Sequence, residues 1–153
     1  MILTRYRIAN STIPGAGKGL FLDEPLGRGR IVVAPDRIDQ TWSFAEILAD
    51  PGRIAQLHTS VRWFEDRYTL SPEWPDECYV NHSFEPTGLW LLGFIFAARD
   101  LAAGEELTVD YRHLLAPGQE EEFRDSRTGE AIVGYAWQDS LRLGLDGLRT
   151  LLD

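Results

Sequence analysis

The chain has 153 residues, 44% of them hydrophobic and 25% charged, which suits one soluble domain with a substantial core. A formal net charge of −9 argues against direct nucleic-acid binding and against an anionic membrane surface, and it favours a basic partner. The single cysteine, Cys78, rules out an internal disulfide and a multi-cysteine zinc site.

In chain order, "TRYRIA" (4–9) and "RIVVAP" (30–35) read as strands between glycine and proline punctuation. The opening "MILTRYRIANSTIPGAGKG" has no apolar signal-peptide region and no run reaches membrane-span length, so a cytoplasmic protein is expected. Between the two strands, "PGAGKGLFL" crowds Gly15, Gly17 and Gly19 ahead of an apolar run, as a chain does where it needs positive φ or close approach to a ligand. It is neither a P-loop nor GxGxxG: Gly19 follows Lys18 where Ser or Thr is required, and Leu20 stands in the third glycine's place.

"SFAEILAD" opens with a capping-box pattern, Ser43 to Glu46, and predicts a helix ending near Pro51-Gly52. A second helical turn follows through Ile54 and Leu57. "RWFEDRYTL" alternates in part and predicts a strand into Leu70. "LWLLGFIFAA" (89–98) predicts a strand buried on both faces, with a buried helix as the competitor. After a polar turn at Gly104, "ELTVDY" returns as a strand to Tyr111, and that order predicts a hairpin. The tail "APGQEEEFRDSRTGEA" reads as a loop, with Glu120, Glu121 and Glu122 on a solvated face. "DSLRLGLDGLRTLL" places Leu141, Leu145, Leu148 and Leu152 on one helical stripe.

The stretch "CYVNHSFEP" (78–86) holds the most suggestive cluster. Cys78 and His82 are four residues apart, as in a thiol enzyme, but nothing supplies a third group or oxyanion donors. Taken singly, Tyr111 reads as a core tyrosine closing a strand, and His82 has the alternative of a histidine satisfied in a buried turn.

Three segments together resemble the SET-domain family of protein lysine methyltransferases. "IPGAGKGLFLDEPLGRGRIV" is similar to the family's glycine-rich opening, "NHSFEP" to its Asn-His-Ser-x-x-Pro motif, and "FAARDLAAGEELTVDY" to the hairpin ending in its Glu-Glu-Leu-Thr-x-Asp-Tyr signature. The resemblance implies a mainly β fold with a few helices, a SET-type β-clip with a knot-like core. Residues 1–113 would form that core, and 114–153, a loop plus a C-terminal helix, would cover it within the same domain.

It further implies an S-adenosyl-L-methionine-dependent enzyme that methylates a lysine on a basic protein or peptide. Tyr111 would be the catalytic tyrosine, and Gly17, Lys18, Gly19, Asn81 and His82 would hold the donor. Trp90 falls where some members carry a tyrosine of the lysine channel, although it could equally be core. Many members end in a cysteine-rich zinc segment that this chain lacks, so the tail or a homodimer partner must close the site. Trp137 would then stack on the donor's adenine and Tyr135 line the channel, or both would simply pack. No metal is implied. Thr87 and Gly88 replace the family's usual residue after Pro86, and Cys78 stands where an arginine is common. These departures leave an inactive SET-like peptide-binding module as the alternative.

Overall fold

A computed structural model describes residues 1–36 and 38–153. β1 (Tyr6–Asn10) and β2 (Lys18–Leu22) form an antiparallel pair on either side of the glycine turn. Leu20, Phe21 and Leu22 of β2 are buried. β3 (Ile31–Val33) is one edge of a three-stranded sheet. The capping box forms as the sequence predicts: Ser43 accepts from the Glu46 N–H and Glu46 from the Ser43 N–H, starting α1 (Phe44–Leu48). Asp50 then caps a separate turn, α2 (Pro51–Ile54), so Pro51 opens a helix instead of ending one.

Two expected single strands are hairpins. β4 (Val61–Phe64) and β5 (Arg67–Thr69) turn at Glu65, which has φ 46°. β7 (Gly88–Leu91) and β8 (Phe94–Ala97) turn at Leu92 and Gly93, with φ 50° and 83°. Two positive φ values in a two-residue connection suit a right-twisted hairpin. The apolar Leu92 hid this turn from pattern reading.

The predicted hairpin onto "ELTVDY" does not form. β8 pairs with β3 and β7, whereas β9 (Thr108–Val109) pairs in parallel with β6 (Asn81–His82). On its other side the Glu105–Leu107 stretch bonds to β2: Leu22 N–H donates to Glu105 O and Leu107 N–H to Leu20 O. One short segment is thus wedged between two elements remote in sequence, the kind of arrangement that the resemblance implies. The main core consists of Leu20, Leu22, Val32, Val33, Val80, Trp90, Ile95, Ala97, Leu101, Leu107 and Val109. Each large side chain buried there contributes about 1.5–3 kcal/mol.

The expected tail loop is also a hairpin, β10 (Glu120–Arg124) with β11 (Ala131–Val133). Asp125 closes it, accepting from the Arg127 and Thr128 N–H groups. α3 (Trp137–Leu152) lies against β7. Its inner face is not the leucine stripe expected, because Leu145 and Leu152 are exposed. Gly144 and Gly147 are the contact residues: a Cβ on either would meet Leu91 or Leu89 at under 3 Å. The helix approaches the sheet closely there because it lacks side chains, a signal that reads as a weak helix in sequence. Among the described residues, no helix is long and apolar enough to cross a membrane.

Candidate functional site

A cavity of about 1150 Å³ opens beside the β6/β9 junction. Asn81, His82, Val109, Tyr111 and Trp90 line it, with Trp63 from β4 and Ile13–Ala16 from the glycine turn. The tail hairpin supplies a further wall, including Glu121 and Phe123.

Tyr111 sits at the start of a 3-10 turn capped by Asp110. Its hydroxyl donates to Val80 O at 2.8 Å, which fixes the ring next to β6. With its one hydrogen so committed, the oxygen can only accept from a group in the cavity. Burial, then the charges of Glu121 and Cys78, push the Tyr111 pKa up, so the residue is a neutral phenol. Phe123 packs edge-on against it with ring centres 6.2 Å apart.

The His82 ring is used internally. Nδ1 accepts the Tyr111 N–H at 3.1 Å, which places the neutral ring's proton on Nε2. Nε2 is buried without a hydrogen-bond partner and faces Asp125 Oδ2 at 3.6 Å. Burial lowers the His82 pKa, against the upward pull of the Asp110 and Asp125 carboxylates. The side chain is therefore engaged with Tyr111 and the tail, and any donor contact by His82 falls to its main chain.

Asn81 Nδ2 donates to Lys18 O and Glu106 Oε1, each at 2.9 Å. The Gly17-Lys18-Gly19 stretch expected at the donor does not line the cavity; Ile13–Ala16, a few residues earlier, does. Lys18 uses its carbonyl on Asn81, and Gly19 is small because a Cβ would meet Glu106 Oε1 at 2.2 Å. Gly17 keeps the turn, at φ 73°, with its carbonyl accepting the Ser11 N–H.

Tyr135 and Trp137 are displaced from their expected places. The Tyr135 ring packs on His113 and under Arg112, and none of the three lines the cavity. Trp137 borders a separate shallow cleft with Glu65, Asp66 and Pro117. Both pack where the chain enters α3; the tail's contribution to the cavity comes from the hairpin before them.

Trp90 is buried in the core and also reaches the cavity, its ring 5.7 Å from that of Trp63. Cys78 lines the same space, but burial pushes its thiol up to about 11, which makes it a poor nucleophile. Sequence reading missed Ile13–Ala16, Trp63, Phe123 and Glu106. Only the Pro14-Gly15 turn carried a signal for the first of these. Among the described residues no group of three or more His, Cys, Asp or Glu could hold a metal ion.

A parallel strand pair that sets Asn-His beside Asp-Tyr, over a cavity walled by a glycine turn, is a SET architecture. The family model for the SET domain matches residues 17–112, and the chain belongs to that family. SET domains are typically protein-lysine methyltransferases. No curated protein matches the chain.

Proposed function

We propose that this protein transfers a methyl group from S-adenosyl-L-methionine to a lysine side chain of a basic protein. The observation that carries the reading is the Tyr111 hydroxyl, held 2.8 Å from Val80 O in the cavity shared with Asn81 and His82. The cavity is at least as large as the roughly 300–1,000 Å³ of small-ligand sites. Gly15, which lines the cavity, holds positive φ with open space where a Cβ would stand, so the turn admits a ligand close to its backbone. These features fit a nucleoside-bearing donor, held by the main chain of Ile13–Ala16 and by Asn81.

When bound, the donor supplies an electrophilic methyl on a positively charged sulfur. Free lysine has a pKa of ~10.4, so its amine must be made neutral before it can attack. The apolar walls from Trp63, Trp90 and Val109 disfavour the ammonium form by desolvation. Tyr111 Oη, an acceptor toward the cavity, would orient the amine through one of its N–H groups. Alignment of this kind is worth roughly 7–11 kcal/mol in favourable cases. Asp36, Asp39, Glu77, Glu120, Glu121 and Glu122 outnumber Arg124 and the Met1 ammonium, which pairs with Asp36 and Glu77, along the walls, and this suits a cationic segment around the target lysine.

The test is calorimetry with S-adenosylhomocysteine, followed by transfer of labelled methyl to a panel of basic proteins. Tyr111→Phe should bind the donor product as the wild type does and reduce transfer by at least about 10²-fold. Full transfer by that variant would refute the role given to Tyr111. The Trp63–Trp90 pair at the cavity favours a second reading, a peptide-binding module without turnover. That reading predicts peptide binding with no labelled product.

A further inference from the structure

Glu106 does not line the cavity, yet it ties together the parts that do. It is 8% exposed and carries four hydrogen bonds from two remote segments. Oε1 accepts from Ser11 Oγ at 2.6 Å and from Asn81 Nδ2 at 2.9 Å. Oε2 accepts from the Thr12 N–H at 2.8 Å and from Thr12 Oγ1 at 2.6 Å. Burial alone would push its pKa up. The bonds from Ser11, Thr12 and Asn81 outweigh that and hold the group below the usual carboxylate range, hence ionised at neutral pH.

An ionised carboxylate accepts only, and so does the Lys18 carbonyl. Both surround one end of the Asn81 amide, so that end must be the NH2 group. The opposite end, Oδ1, accepts from none of the described residues, and Asn81 lines the cavity. Ser11 and Thr12, held by the same carboxylate, lead directly into the Ile13–Ala16 wall.

We propose that Glu106 is a positioning residue for the ligand: it locks the Ser11–Thr12 end of the cavity turn and turns the Asn81 amide so that its oxygen receives a cationic N–H group. This rests on the methyl-donor reading, in which the group received is the donor's α-ammonium. Replacing Glu106 by Gln puts an NH2 beside the Asn81 NH2 or the Thr12 N–H. One relief is a flip of the Asn81 amide, which would offer the ammonium a donor instead of an acceptor.

The experiment compares wild type, Glu106→Gln and Ser11→Ala by calorimetry with two probes, S-adenosylhomocysteine and 5′-methylthioadenosine, which lacks the amino-acid end. Glu106→Gln should bind S-adenosylhomocysteine about tenfold or more weakly, as expected for a lost charge-assisted hydrogen bond. It should lose clearly less affinity for methylthioadenosine, which needs the Ser11–Thr12 turn but not the Asn81 oxygen. Ser11→Ala, which removes one of the four bonds to Glu106 and the Ser11 Oγ acceptor of the Ile13 N–H and Asn81 Nδ2, should show a smaller loss of the same selectivity and keeps the test open if Glu106→Gln fails to fold. The Asn81 side-chain amide resonances, shifted by the carboxylate in the wild type, should move in Glu106→Gln without any ligand. Equal loss for both probes, or no loss for either, overturns the proposal. A wild-type protein that binds neither probe overturns the methyl-donor reading first, and leaves Glu106 nothing to position.

Discussion

His82 and His113 are 6% and 8% exposed, and burial lowers both pKa values. His82 Nδ1 accepts the Tyr111 N–H, and His113 Nδ1 lies 2.9 Å from Ser140 Oγ on α3. Protonating His82 turns that acceptor into a donor facing an N–H, so the folded state resists the proton that the unfolded chain takes up near pH 6.5. A depressed histidine pKa contributes stability above the unfolded value and loses it as pH falls below. Each such histidine costs at most about 1.36 kcal/mol per pH unit, so the pair costs up to about 2–3 kcal/mol between pH 7.5 and 5.5. Glu121 opposes part of this, since burial raises its pKa and the folded state gains as it protonates. The lowered carboxyls of Glu106 and Asp125 contribute above the unfolded carboxylate pKa and lose their share only at more acid pH, as they protonate. Urea unfolding at half-unit pH steps measures the slope, and His113→Asn should roughly halve it. A stability that changes by less than about 0.5 kcal/mol over the interval, or a slope untouched by His113→Asn, would refute the assignment.

Gly93→Ala should destabilise by about 2–5 kcal/mol in urea unfolding, because it combines a positive φ with overpacking. The added Cβ would meet the Trp63 ring at 1.9 Å. The same variant should change cavity binding, because Trp63 has to move. Asp125→Ala removes the acceptor of the Arg127 and Thr128 N–H groups and the carboxylate facing His82 Nε2. Trypsin should then cut after Arg124 or Arg127 at least about tenfold faster, as local opening of the hairpin becomes cheaper. Cys78, with its thiol at about 11, should react with a disulfide reagent at pH 8 more than about 100-fold slower than free cysteine, and urea should abolish the difference.

Much of the local structure was legible because local chemistry determines it. The Ser43–Glu46 capping box forms in the structure as read, since both bonds span three residues of one turn. Where a turn lacked turn residues, as at Leu92, or a helix face was built of Gly144 and Gly147, pattern reading failed. Burial there is decided by the partner surface and not by the residue's own hydropathy. Asn81, His82 and Tyr111 could be named together only through resemblance to a family, because nothing in their spacing says that they meet. Tyr135 and Trp137 were misplaced for a related reason. Aromatic character says that a side chain will be covered, but not by which neighbour.

The sequence by itself therefore determined the glycine turn, the Ser43–Glu46 cap, the acidic charge and the motif letters that belong to the SET family. Those properties depend on residues within a few positions of one another or on simple sums over the chain. Only the tertiary structure decided that "ELTVDY" runs parallel to "NH" and not back against "FIFA". It alone shows that the tail hairpin, and not the aromatics after it, walls the cavity, and that one buried carboxylate accepts from the Asn81 amide. Such pairings join segments far apart in the chain, and their energy exists only once the core between them has packed.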